Sequence, residues 1–135
     1  MAFTGNYTCD VFKVGLFNGT ASFSSGTFKI ALYTNNATLD ASTTAYTTNG
    51  EVVASGYTAG GVVLTPAVSS SGEVAYVSFN NASWSGAFTA RGALIYKVSG
   101  PAVCVLDFGS DKTSTTTFLV QFPPDTSTSA IIRLS

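Results

Sequence analysis

The sequence predicts an all-β chain, folded as one antiparallel β-sandwich or barrel of about eight strands with a single short helix near its N-terminus. Three observations lead there. Apolar residues recur with a period of two in short runs, and Gly, Ser and Asn turns separate those runs roughly every 8 to 15 residues. The composition is 45% hydrophobic but only 10% charged, against roughly 25% charged in ordinary soluble domains, while Ser and Thr together number 36. At 135 residues and 13.9 kDa, one core suffices for one domain.

The first nine residues, MAFTGNYTC, precede any predicted element and read as an N-terminal arm (1–9), leaving a single β domain over 10–135. Phe3 and Tyr7 make that arm apolar enough to order against a partner; an ordinary edge strand is the alternative. Asp10 opens the helix with a carboxylate near the free amides of Val11, Phe12 and Lys13, and Asn18-Gly19 closes it. Phe12 and Leu16 then share a face. Gly15 and the Val and Phe content argue for a strand instead, because Gly costs a helix roughly 1 kcal/mol against Ala.

From residue 27 to 33 the period is two, with Phe28, Ile30 and Leu32 on one face and Lys29, Ala31 and Tyr33 on the other. Residues 34–50 show no period and read as a long surface excursion pinned by Leu39 and Tyr46. Short β segments follow at 51–55 and 61–65, joined by GYTAGG, whose glycines suit a tight turn or bulge. VSSSG leading into EVAYVSFN is a hairpin signal. Residues 80–86 read as a turn, 87–98 as a strand with Gly92 a bulge or point of close approach, and 102–108 as the next strand. Gly109 to Lys112 reads as a reversal, 115–122 as a strand stopped by Pro123-Pro124, and 130–134 as the last.

Chemistry is poorly represented. Histidine is absent, which removes the commonest general base near neutral pH and the commonest metal ligand. No carboxylate pair, no G-x-S-x-G elbow and no phosphate loop is present, so no enzyme, cofactor or metal is expected. Six scattered Lys and Arg and a net charge of -1 exclude an electrostatic nucleic-acid surface. No apolar run reaches the roughly 20 residues of a membrane span, and no basic region followed by an apolar run marks a secretory signal. Cys9 and Cys104 read as buried, reduced thiols, with one long-range disulfide the alternative. Asp107 reads as capping the turn amides of Gly109 and Ser110, with a calcium site the alternative. Trp84 and the six tyrosines read first as core, next as a protein interface, and third as a sugar-stacking surface.

The segments FKIALYT, TTAY, GYTAGG, FTARGALIY and VLDFGSDK, in that order, together with VFKVGLFNGT before them and AIIRL after them, resemble small virion proteins of tailed bacteriophages. The likeness covers most of the chain from residue 26 onward. It implies a virion structural component with no catalytic residues, assembled in the host cytoplasm where thiols stay reduced. The preferred role is a capsid decoration or cement protein, on the outer capsid surface, bridging major capsid protein subunits. A tail or fibre-associated protein is the next role. A homo-oligomer is expected, with a trimer among its candidate states. Phe3 and Tyr7 are the expected partner contacts. A carbohydrate-binding host-adsorption module, stacking sugars on Trp84, is the rival from a different class.

Overall fold

The computed structural model describes residues 5–123, 126 and 129–134, and within them ten strands and one helix. The chain is all-β with antiparallel pairing throughout, as the period-two runs require. Strands β1 (Tyr7–Thr8), β8 (Ala102–Thr113), β7 (Thr89–Lys97), β2 (Phe28–Tyr33) and β3 (Val62–Leu64) form a five-stranded sheet in that order. A three-stranded sheet has the order β10 (Ile132–Leu134), β5 (Val74–Phe79), β4 (Pro66–Ser71). Strands β6 (Ala82–Ser85) and β9 (Thr117–Val120) make a two-stranded ribbon.

The helix α1 (Asp10–Asn18) is the one the cap signals predict. It opens after Cys9, whose carbonyl accepts the Phe12 and Lys13 amides, and Asp10 lies in its first turn without making a side-chain cap bond. Gly19 closes it in the left-handed conformation, φ 86°, with its amide on the Gly15 carbonyl. Gly15 is where the chain folds back: a Cβ there would stand 2.7 Å from the Ala21 Cβ. That need for space, rather than strand propensity, explains the glycine. The buried pair on α1 is therefore Phe12 and Gly15, and the expected partner Leu16 is 42% exposed instead.

β2 is an inner strand of the large sheet, next to the central β7, paired along its whole length with β7 and buried except at Lys29. β3 covers only Phe28 to Ile30 on its other side. Beyond that point the expected strand over residues 51–55 shrinks to one bridge, Tyr33 to Glu51, because the chain turns away at Ala54–Tyr57. The GYTAGG segment then comes so close that a Cβ on Gly61 would lie 1.7 Å from the Ile30 carbonyl oxygen. At φ +80° this position demands glycine for two reasons at once.

The β4–β5 hairpin is present as read, closed by Gly72 (φ 55°) and Glu73 (φ 57°), the two positive angles of a type I′ turn. Two expectations fail. Residues 80–86 are not merely a turn, since Ala82 to Ser85 pair with β9, Trp84 opposite Phe118. Gly109 to Lys112 do not reverse the chain either. The pairing with β7 passes from Gly92–Asp107 to Ala90–Lys112, so Arg91 faces four residues where regular pairing has one, and the surplus bulges within one continuous β8. The register shift falls beside Gly92, which the sequence marks as a bulge or point of close approach, but the surplus residues lie on β8 and not on the strand of Gly92.

The N-terminal expectation is corrected in part. Tyr7 pairs with Val105 and Thr8 with Cys104, and Cys9 is fully buried at the start of α1, so residues 7 and 8 form the edge strand that was the alternative to an arm. Asn6 is tied to the same strand, its side-chain oxygen accepting the Asp107 amide at 2.6 Å. Two aromatic clusters fill the interior. Phe12, Phe23, Phe28, Phe79 and Phe122 run from α1 to the three-stranded sheet; Tyr57, Trp84, Phe88, Phe108 and Phe118 lie around the β6–β9 ribbon.

Candidate functional site

Of the residues singled out from the sequence, Trp84 meets Tyr57 and Tyr46 meets Tyr96, inside the fold rather than on a binding surface. Phe3 lies outside the described residues. Tyr7 is a strand residue whose side chain packs, half-buried, against the core. Trp84 is 4% exposed with its ring 6.1 Å from Tyr57 and 6.3 Å from Phe118, so it has no face to offer a sugar. Its first reading, core packing, is the one the structure shows. Among the described residues the Trp84 indole Nε1 is buried without a hydrogen-bond partner.

Asp107 does cap a turn amide, accepting from Gly109 N at 2.8 Å, and it also pairs with Arg91. Burial works against its charge, yet the Gly109 amide and Arg91 outweigh burial and hold the carboxyl below its usual range. Both Cys9 and Cys104 are free and buried. Burial first, and nearby Asp10 and Asp40 next, push the Cys9 thiol up to about 11; burial and Cys9 push Cys104 up as well. Neither is a nucleophile near neutral pH.

One polar constellation has no counterpart in the sequence reading. Glu51 is 6% exposed, and its carboxylate accepts from the Tyr46 hydroxyl at 2.6 Å, the Tyr57 hydroxyl at 2.5 Å and the Gly60 amide at 2.8 Å. Tyr57 in turn accepts the Leu32 amide at 2.9 Å, at the point on β2 that β3 leaves unpaired. Tyr96 donates to the Gly60 carbonyl at 2.7 Å and stacks on Tyr46 with ring centres 4.8 Å apart; Tyr33 donates to the Thr47 carbonyl at 2.6 Å. Burial, then the Glu51 charge, pushes Tyr33, Tyr46, Tyr57 and Tyr96 all upward, so the four phenols stay neutral. With three donors on a buried carboxylate, the cluster fastens the 34–61 excursion to the sheet. A glutamate flanked by tyrosines five residues before and six after is the signal that could have pointed to it.

What reaches solvent is of another kind. Among the described residues, the most exposed aromatic side chain is Phe17, at 94%, on the outer side of α1. Val14, one turn earlier, is 58% exposed, and Val11 before it is half-buried, so positions 11, 14 and 17 form an apolar ridge at helical spacing. Open clefts lie elsewhere among the described residues. One of about 540 Å³ runs along β8 and β9, lined by Phe108, Lys112, Phe118 and Val120; another of about 590 Å³ is lined by Lys29, Tyr46, Tyr96 and Lys97.

No helix among the described residues is long and apolar enough to cross a membrane. Comparison of the chain with protein-family models, curated proteins and solved structures gives no match.

Proposed function

We propose that the chain is a structural protein of a tailed-bacteriophage virion, a capsid decoration or cement protein that docks on the outside of the assembled shell and bridges neighbouring major capsid subunits. The observation that carries this reading is the apolar ridge Val11–Val14–Phe17, turned outward from a helix whose other side is already buried. A buried Phe side chain is worth about 1.5–3 kcal/mol relative to an exposed one, so Phe17 favours a covered state. The charge-poor surface supports the same reading, because it offers little desolvation penalty to close contact. So does the resemblance of FKIALYT through VLDFGSDK to small phage virion proteins.

The role follows by mass action. A protein that binds only the assembled lattice lowers the free energy of that lattice and leaves free capsid subunits untouched. Copies at capsomer junctions, acting as a homo-oligomer, would clamp several subunits at once.

Cryo-electron microscopy of particles with and without the chain tests this directly. Ordered density of about 14 kDa per copy at capsomer junctions is expected. Phe17→Ser and Val14→Ser together should abolish that occupancy while leaving the melting temperature unchanged. Density confined to the tail, or full occupancy of the double variant, would overturn the assignment.

A further inference from the structure

We infer that the β4 edge is an interface with a second copy of this chain, joined antiparallel through a two-fold axis at Ser69 into a continuous six-stranded sheet. The inference is independent of the capsid reading.

Sheet edges expose unpaired amides and carbonyls, and proteins blunt them by shortness, charge, proline or a bulge. The other edges of the two larger sheets are blunted: β1 has two residues, β3 three and β10 three, the last carrying Arg133. β4 is different. It has six residues, PAVSSS, with no charge, no bulge in its pairing with β5, and its one proline at the first position. Residues 67 to 71 are all exposed, so no described residue covers it.

The register decides which groups face outward. Ser71 and Val74 flank the two-residue turn and form the hydrogen-bonded pair of the hairpin, so Ser69 and Ala67 also bond inward to Tyr76 and Ser78. The groups left free are the amides of Val68 and Ser70 and the carbonyls of Pro66, Val68 and Ser70. These repeat at every second residue about Ser69. A two-fold axis there sets Val68 opposite Ser70 of the other copy, and Ser70 opposite its Val68, and each pair exchanges both bonds. Four backbone hydrogen bonds form with one register and no side-chain adjustment. Pro66, which lacks an amide, falls outside these pairs. Val68, 63% exposed in the monomer, gains the other copy's edge as cover. An isologous contact of this kind closes at two copies.

The test uses the full chain. Sedimentation should give twice 13.9 kDa at high concentration, dissociating on dilution. Val68→Lys, at an exposed position, should abolish the dimer with circular dichroism and melting temperature unchanged. Ser69→Cys should cross-link to a dimer under mild oxidation, because the two Ser69 positions form a non-hydrogen-bonded pair with Cα atoms about 4.5 Å apart, within the range of roughly 4.4–6.8 Å that a disulfide spans. Ser71→Cys should not, since its copies would lie about 13 Å apart. A monomer at every concentration, a trimer, a dimer that survives Val68→Lys, or equal cross-linking at residues 69 and 71 would each overturn the inference.

Discussion

The Tyr57 hydroxyl donates to the Glu51 carboxylate at 2.5 Å while accepting the Leu32 amide at 2.9 Å. Tyr57 thus does what a neighbouring strand would do for β2 where β3 has ended, and Glu51 holds it there. A loop residue completes a sheet through a side chain.

Breaking this relay should destabilise the fold in a graded way. Tyr57→Phe leaves the Leu32 amide without its acceptor and removes one of three donors to Glu51, a loss of about 1–3 kcal/mol. Glu51→Ala leaves two hydroxyls and the Gly60 amide unanswered and should cost more. Urea unfolding midpoints with unchanged slopes would rank the two; equal midpoints to the parent would contradict the role assigned to the cluster.

The same residues predict an alkaline limit. In the unfolded chain tyrosine ionises near pH 10, whereas burial and the Glu51 charge keep Tyr33, Tyr46 and Tyr57 protonated in the fold well above that. Between those limits the unfolded state has lost protons that the native state retains, so stability is whole below about pH 10 and falls as pH rises further. Melting temperature should drop above pH 10 and the tyrosinate absorbance of these residues should appear only with unfolding. Smooth ionisation of all six tyrosines in the native state would contradict this.

Trp84 offers a contrast between packing and polarity. Trp84→Ala removes a buried ring from the β6–β9 aromatic cluster and should cost about 3–5 kcal/mol. Trp84→Phe keeps a ring and gives up an indole N–H that has no partner among the described residues, so it should cost far less. Denaturation of the two variants measures the split. Comparable losses would contradict this split.

The thiols should report unfolding and nothing else. Cys9 and Cys104 are buried with raised pKa values, so a disulfide reagent at pH 7 to 8 should react with neither in the native protein and with both in denaturant. Rapid native labelling of either would show local opening around β1.

Local signals carried much of this fold. The Gly19 end of α1, the alternation of β2 and the β4–β5 hairpin were legible because cap glycine, period and turn chemistry lie within a few positions of each other, whereas Asp10 marked the start of α1 without capping it. β6 was not, since NNASWSG has turn composition and becomes a strand only through pairing with β9 more than thirty residues later. GSDK misled for a related reason: Asp107 and Arg91 turn a reversal signal into a bulge inside β8. The Glu51 cluster needs Tyr46, Tyr57 and Gly60 to meet across an irregular loop, which no periodicity encodes. Phe17 was hidden by the expectation that apolar helix residues face inward.

β1 and β10, near opposite ends of the chain, each pair with a strand from the middle: β1 with β8, β10 with β5. During synthesis, then, Tyr7 and Thr8 wait for about a hundred residues before their partners exist, and β5 keeps one side open until residues 132–134 have been made. Such non-local pairing slows folding. The nascent chain passes through a stage in which the hairpin has two bare edges instead of one, and aggregation on the ribosome, rather than instability of the finished protein, becomes the hazard that its expression has to manage.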